Sequence, residues 1–513
     1  MGFEVTDWIA HHATSTPNKV AMRELPSGRQ FSYSQMHDRV GRCAAMLQEH
    51  GVQRGDRVGF LTLNSCDVLE IIFGCWRIGA VGLAINFRLT PPEIGFILNN
   101  AEASVVIVDN PFLPIAEALA DKTPVKHWIQ TDGMGGDSEY ERRLSKAEPV
   151  LEMTPQDMSD QCMLMYSSGT TGTPKGVIIT HAMMYFSAAG GTGPGQNQAS
   201  SVSLSNMPLF HIGGLNVTAS PAMWIGATTV IMRMFDPSDT LKAINDPDLG
   251  ITTLFMVPAA YNALRAHPES ENMDFSRIEV ALCGAETVPD ALVHYWLGRN
   301  VIIQEGYGMT ETAAAGCMLA KSDIPDRIGS AGKALMHSQI RIVDEGGKTC
   351  APNVPGEIWF KGMCITPGYW RRPDATKESF QDGWFKSGDI GRKDEQGYIY
   401  IEDRIKDMYI SGGENVYPAE VENILYEMDA IAEVAVIGVP DAKFGETGCV
   451  VAVLKPEANL TLGDITNYIC DRLAKFKCPS HLHLIDALPR NATGKVLKFQ
   501  LRETVPKALG LKS

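Results

Sequence analysis

The chain has 513 residues, which at roughly 150 residues per domain predicts about two to four domains. Hydrophobic residues make up 44% and charged residues 20%, a balance that excludes collagenous, disordered and small disulfide-stapled chains. Lys and Arg number 45 against 60 Asp and Glu, a formal net charge of −15, and that acidity argues against a nucleic-acid binder, whose affinity depends on neutralising phosphates.

From the N-terminus, Met1 to Thr6 fits the loose myristoylation pattern, but nothing basic follows and no lipidation is expected. No basic region with an apolar core opens the chain, and Leu511-Lys512-Ser513 is not a peroxisomal signal, so the default location is cytoplasmic. Short apolar runs then alternate with helical patterns: Val58 to Leu63, a helix to Ile78, Val81 to Ile85, a helix near Pro92 to Leu98, and Val105 to Asp109. Such alternation predicts βαβ units on a mostly parallel sheet, an α/β fold. The best membrane candidate, Val68 to Ile85, contains Glu70, Arg77 and three glycines, and a buried helix and strand explain it better.

Further strands are predicted at Thr228 to Met232, Thr253 to Val257, Val280 to Cys283 and Val301 to Gln304, with a β-rich portion at Gln339 to Val343, Glu357 to Phe360 and Tyr398 to Glu402. Past Asp403 the texture changes. A helix at Ala419 to Tyr426, strands at Val434 to Val439 and Val450 to Leu454, a helix at Ile465 to Leu473 and a strand at Leu482 to Ile485 predict a small α+β domain. The expected division is a large domain over 1–402, a charged joint Asp403-Arg404-Ile405-Lys406-Asp407, and a small domain over 408–513. The 11 cysteines include no C-x-x-C pair, which suits a reducing compartment and neither a disulfide framework nor a zinc site.

The strongest local signal is Tyr166-Ser-Ser-Gly-Thr-Thr-Gly-Thr-Pro-Lys-Gly176, after the apolar run Met163 to Met165. Gly169, Gly172 and Gly176 let backbone N–H groups approach an anion, while Ser167, Ser168, Thr170, Thr171 and Thr173 add hydroxyl donors and Lys175 a cation. This is phosphate chemistry, but not the P-loop pattern, because Pro174-Lys175-Gly176 stands where Gly-Lys-Ser/Thr is required. Gly135-Gly136-Asp137-Ser138 mimics a carrier-protein serine but lies inside the large domain and reads as a loop.

The Gly- and hydroxyl-rich segment resembles the phosphate loop of the adenylate-forming superfamily, which holds acyl-CoA synthetases, peptide-synthetase adenylation domains and firefly-type luciferases. More matches follow in order: Tyr307-Gly-Met-Thr-Glu311, Ser387-Gly-Asp389, the joint at 403–407, Ser411 to Glu422, and Pro489-Arg-Asn-Ala-Thr-Gly-Lys495. The resemblance implies a large N-terminal domain with parallel sheets and a β-rich portion, and a small mobile C-terminal domain. It implies ATP and Mg²⁺ binding, with coenzyme A as the acyl acceptor.

Residue by residue, the resemblance places Ser167, Ser168, Gly169, Thr170, Thr171, Gly172 and Lys175 on the phosphates, and Gly284-Ala285-Glu286 with Tyr307 on adenine. Asp389, joined by Arg404, takes the ribose hydroxyls; Glu311 beside Thr310 takes Mg²⁺. His211 is expected beside the substrate carboxylate and the thiol entrance in a positioning or gating role and not as a base, Lys495 as the cation bridging carboxylate and α-phosphate, and Lys406 as the pivot. Gly412, Gly413 and Lys477 are expected on coenzyme A.

The implied activity is an ATP-dependent acid–CoA ligase working through an acyl-adenylate and releasing AMP and pyrophosphate. The segments expected to line the acid pocket contain Gly213, Gly306, Ala313 and Ala314 and no Lys or Arg, which favours an apolar acid, a fatty acid or a relative. An aryl-propenoic acid of the coumarate or ferulate type, a carrier-loading adenylation enzyme and a luciferase-type oxygenase stay open. The expected partners are small molecules, with no nucleic acid and no membrane span; a homodimer is left open.

Overall fold

A computed structural model describes residues 3–25, 27–167, 174–195, 197–404, 406–411, 414–441, 444–470, 472–490 and 496–511, without the side chains of Arg404 and Cys470. Gly2, Ser168, Gly169, Thr170, Thr171, Gly172, Gly412, Gly413 and Lys495 therefore lie outside the described residues.

Two sheets form the bulk of the large domain. Val105–Asp109 is an apolar five-residue run buried at every position, as a strand covered on both faces must be. It pairs in parallel with Arg57–Leu61 and His127–Thr131 in a six-stranded sheet that continues through Val81–Ala84 and Gln161–Ser167 to Lys175–Thr180. The second sheet has nine strands, with Val20–Leu25, Thr228–Met232, Val202–Ser205, Thr253–Met256, Val280–Gly284 and Ile303–Tyr307 side by side and parallel. The expected parallel sheet is thus two sheets.

Cys66–Arg77 is buried at all twelve positions between them. Its charges are paired: Glu70 accepts from Arg39 and from the Tyr140 hydroxyl, and Arg77 donates to Asp7. The apolar stretch from Val68 is therefore the core helix and strand expected of it, and no helix among the described residues is long and apolar enough to cross a membrane. Sequence periodicity had not marked Tyr33–Glu49, a 17-residue helix opened by a capping box between Ser32 and Gln35.

Strand boundaries shift where tertiary pairing overrides local preference. The run Val301 to Gln304 becomes the strand Ile303–Tyr307, because Cα register pairs Ala281 with Ile303 through Gly284 with Gly306. A Cβ on Gly284 would stand 2.3 Å from the Gly306 carbonyl oxygen, so the close approach requires glycine there. The β-rich portion is an antiparallel sheet of Ser338–Val343, Gly356–Gly362, Phe380–Gln381, Trp384–Lys393 and Ile399–Arg404. The joint expected at 403–407 therefore begins inside this sheet's last strand.

The small domain carries its own sheet of Tyr409–Ser411, Glu414–Val416, Ile431–Asp441, Gly445–Leu454 and His481–Leu484, with Pro418–Leu425, Leu462–Cys470 and Lys498–Ala508 as its helices. Ser138 is fully buried and caps Glu139–Leu144, in keeping with the structural loop expected of Gly135 to Ser138. Among the described residues nine cysteines are free thiols and Cys478 is disulfide-bonded, so no disulfide framework is seen there.

Candidate active site

A cavity of about 960 Å³ opens where the strands of both parallel sheets end. Asn206 to Pro208, Arg233 to Phe235, Val257, Ala285 and Gly308 each follow a strand of the nine-stranded sheet, and Asn86 to Leu89 follow one of the six-stranded sheet; all lie in the wall. The carboxyl edge of an open parallel sheet is where backbone N–H groups and loop side chains can converge without a strand in the way.

Ser167 and Lys175 face each other across the antiparallel pair that closes the Gly- and hydroxyl-rich segment, and both line the cavity. Residues 366–370 lie against this strand through Trp370 N–H to the Gly176 carbonyl at 2.7 Å and Ile178 N–H to the Gly368 carbonyl at 3.1 Å. They present Tyr369, whose hydroxyl donates to Glu311 Oε1 at 3.0 Å while the Lys175 ammonium stands 5.2 Å from its ring centre. Burial, and then the Glu311 carboxylate, push the Tyr369 phenol up, so it stays a donor. Tyr369 was not among the expected site residues; its only sequence signal is an aromatic pair after Gly368.

Thr310 and Glu311 sit on a short turn followed by two non-glycine residues with positive φ, Ala313 at 52° and Ala314 at 90°. The Ala313 carbonyl accepts from Ser187 Oγ at 2.7 Å and Asn216 Nδ2 at 2.6 Å, and the Ala314 carbonyl from Thr312 Oγ1 at 3.0 Å. Strain of this kind persists only when the surroundings over-determine it. Ala314 and Ala315 line the cavity; Ala313, expected there, does not, because the turn carries its side chain into the packed core.

Tyr307 and Asp389 meet directly. The Tyr307 hydroxyl donates to Asp389 Oδ2 at 2.6 Å, and burial, with Asp389 second, pushes the phenol up. Asp389 is not in a turn but in the long strand Trp384–Lys393, at a register break where Gly388 takes φ 74° and Asp389 N–H donates to Ser387 Oγ. A bulge of this kind re-aims a side chain, here toward the cavity. The Arg404 backbone pairs with Asp389 across the sheet.

His211 caps the turn Ile212–Gly214, its Nδ1 accepting from Gly213 N–H at 3.3 Å, and lines the cavity with Gly213, Gly284, Glu286 and Gly306. The apolar part of the wall includes Met207, Phe210, Val217, Phe235, Phe255 and Ala260. The chain segments read from sequence held no cation, yet folding brings Arg88 and Arg233 to the wall; Arg233 is committed to Asp109 at 2.6 Å and to the Gly133 carbonyl. Both amide atoms of Asn206 are buried in this wall with no hydrogen-bond partner among the described residues.

From the small-domain side, Lys406 lines the cavity and Arg490 reaches Glu286 at 3.5 Å. Lys477 lies outside it, paired with both oxygens of Glu420 at 2.7 Å, next to a second hollow of about 300 Å³ lined by Ser411, Phe444, Lys475 and Phe476. Among the described residues no group of three or more His, Cys, Asp or Glu is placed to hold a metal. Glu311 is one of several carboxylates in the cavity lining, and a site with few protein ligands suits a hard cation such as Mg²⁺ held chiefly by phosphates and water.

Residues 9–370 match the family of AMP-binding enzymes and residues 420–495 its C-terminal domain. A long-chain-fatty-acid–CoA ligase of Mycobacterium tuberculosis is 36% identical over 505 residues, 97% of this chain and 99% of that protein. A feruloyl-CoA synthase of an Amycolatopsis species is 35% identical over 495 residues, 96% and 98% of the two chains. Among solved structures, an anthranilate CoA ligase in complex with anthranoyl-AMP superposes with a TM-score of 0.93 at 28% identity, covering 99% of this chain and 98% of that one. The o-succinylbenzoate CoA synthetase of Bacillus subtilis in complex with ATP and magnesium gives 0.85 at 31% identity, covering 97% and 100%. With the two family matches falling on the large and the small domain, the chain belongs to the AMP-binding, adenylate-forming enzymes, in their acyl-CoA ligase branch.

Proposed function

We propose that the enzyme joins an apolar carboxylic acid to coenzyme A, consuming ATP through an acyl-adenylate and releasing AMP and pyrophosphate. The observation that carries this reading is one cavity whose lining joins Lys175, Thr310, Glu311, Tyr307 and Asp389 to apolar side chains such as Met207, Phe210 and Phe255. The first half joins two anions, so the protein's work is to align them and offset their charge; no protein nucleophile is required. Lys175 faces the phosphates, Asp389 accepts from the ribose hydroxyls, Tyr307 flanks adenine and holds Asp389, and Lys495 neutralises the attacking carboxylate and α-phosphate. Glu311 would hold Mg²⁺, which when bound would supply positive charge against the phosphates, and Tyr369 orients that carboxylate.

In the second half the thiol of coenzyme A attacks the mixed anhydride and AMP leaves. The small domain, jointed at 403–407 with Lys406 as pivot, serves each half in turn, and Gly412, Gly413 and Lys477 serve coenzyme A. His211, at the cavity wall beside Gly213, positions the acyl carbonyl without acting as a base. Both the fatty-acid and the feruloyl ligases among the relatives accommodate this scheme.

For the acid, the Met and Phe wall and the commitment of Arg233 to Asp109 support an apolar tail. The unpartnered Asn206 amide supports a second reading, an aryl acid with a hydroxyl or keto substituent, since a buried donor or acceptor left unpaired costs about 1–3 kcal/mol and a substituent that pairs it recovers that. A panel of fatty and hydroxylated aryl acids, scored for pyrophosphate release and for coenzyme A consumption, tests both. Pyrophosphate release without thioester would contradict the ligase; equal rates with dicarboxylic acids would contradict the apolar pocket.

A further inference from the structure

Arg490 belongs to the small domain, and its guanidinium stands between two carboxylates of different domains. Nη1 is 3.5 Å from Glu286 Oε1 of the large domain, and Nη2 is 3.1 Å from Glu433 Oε2 on the small domain's strand Ile431–Asp441. Glu286 follows Ala285, held at φ 73° in the turn after Val280–Gly284, and lines the cavity; Arg490 does not. The fixed turn gives Glu286 a defined place, and Glu433 holds the guanidinium toward it.

Arg490 also stands at the mouth of the loop that carries Lys495. A β-bridge joins Arg490 to Val496, and Leu497 N–H donates to the Pro489 carbonyl at 2.8 Å, so the two flanks of residues 491–495 are held together. Lys495 is bonded to Val496. Whatever fixes Arg490 against the large domain therefore fixes the root of the lysine loop against the nucleotide end of the cavity.

We propose that Arg490 is a positioning residue for adenylation: its ion pair with Glu286 moors the base of the Lys495 loop on the turn that follows Val280–Gly284, and the pair must break before the small domain turns to serve the thiol. This rests on the ligase reading above. The pair is only partly buried, with side-chain exposures of 25% and 21%. Such a contact is strong enough to bias an orientation and weak enough to be released in each cycle.

Single-turnover assays of the full chain test it, one with acid and ATP, the other with ready-made acyl-AMP and coenzyme A. Arg490→Ala is expected to lower the adenylation rate constant about 10-fold to 100-fold, through misplacement of the loop. KM for ATP and the thioester half should both stay within about twofold, the latter also showing that the variant is folded. Arg490→Lys should restore most of the rate, because it keeps the charge. Glu286→Gln should slow adenylation, and adding it to Arg490→Ala should cost nothing more, as for two ends of one contact. The proposal is overturned if Arg490→Ala leaves adenylation intact, slows both halves alike, or multiplies with Glu286→Gln. Should that happen while Lys495→Ala still blocks adenylation alone, the ligase reading stands without the mooring; an unimpaired Lys495→Ala would sink the reading itself.

Discussion

The two sides of the cavity are built on opposite principles. On the large-domain side, the turn after Tyr307 holds two alanines at positive φ by hydrogen bonds from Ser187, Asn216 and Thr312, all of them buried. On the small-domain side, contact is made by charges: Arg490 on Glu286, and Asp403 Oδ2 accepting from Ala419 N–H at 3.0 Å at the joint. Behind that joint Lys498 pairs with Glu422 at 2.7 Å and Arg502 with Asp407 at 2.7 Å, and burial pushes the Glu422 carboxyl up against the pull of Lys498. Packed backbone has one arrangement, whereas charge pairs at a partly wet seam can be exchanged. Under the proposed function, the contrast would fix the geometry for phosphate and magnesium in one domain and leave access to it to the other.

The largest effect should come from breaking the fixed side. A Cβ on Gly308 would stand 1.8 Å from the Ala314 carbonyl oxygen, so Gly308→Ala must displace the turn that carries Thr310 and Glu311. Adenylation should fall at least about 100-fold, with a loss of about 1–3 kcal/mol in denaturant unfolding. Wild-type rates of pyrophosphate release would show that the turn does not set the site. Next in size, Asp389→Ala should cost about 1.5–3 kcal/mol in kcat/KM for ATP, through the lost charge-assisted contact. Tyr307→Phe, which removes only the hydroxyl holding Asp389, should cost less; the reverse order would reassign the ribose contact.

Sequence reading succeeded where the cause is local and failed where it is a convergence. Val105–Asp109 and Thr228–Met232 appear at the expected residues because an unbroken apolar run bounded by turn residues suits little else than a buried strand. Lys175, Glu311 and Asp389 were named through the resemblance of their motifs, and the structure brings all three to one cavity wall. Tyr369 was not legible, since its role depends on a pairing with Val177 nearly two hundred residues away, and neither was Arg490, whose partner lies in the other domain. Ala313 was misplaced because backbone angles decide which of the three adjacent alanines, Ala313 to Ala315, face the cavity.

A smaller effect should sharpen the apolar end. A Cβ on Gly213 would stand in ordinary contact with Phe255 at 3.4 Å, so Gly213→Leu must intrude on that ring and on the acid beside it. The accepted acids should shift to shorter or narrower ones by about 1–3 kcal/mol in kcat/KM, with KM for ATP unchanged. An unaltered acid range would take Gly213 out of the pocket.

The smallest effect concerns pH. Burial, with Asp290 second, pushes the Glu305 carboxyl up to about 8, and Glu427 of the small domain bears on Asp290 in turn. The folded state then keeps a proton that the unfolded chain has lost, so stability falls as pH rises from the ordinary carboxylate range toward 8. Glu305→Gln should flatten that decline in thermal melts across this window. An identical decline in the variant would mean that Glu305 titrates normally.

The central claim, that one domain is fixed and the other serves two half-reactions in turn, is tested most directly by measuring each half in two variants. Lys495→Ala should cripple acyl-AMP formation by a few kcal/mol and leave thioester formation from supplied acyl-AMP intact. Lys406→Pro, which fixes φ at the joint and removes a donor, should do the opposite, making the adenylate but transferring it poorly. If each substitution slows both halves to the same degree, the alternating account is contradicted even where overall ligase activity persists.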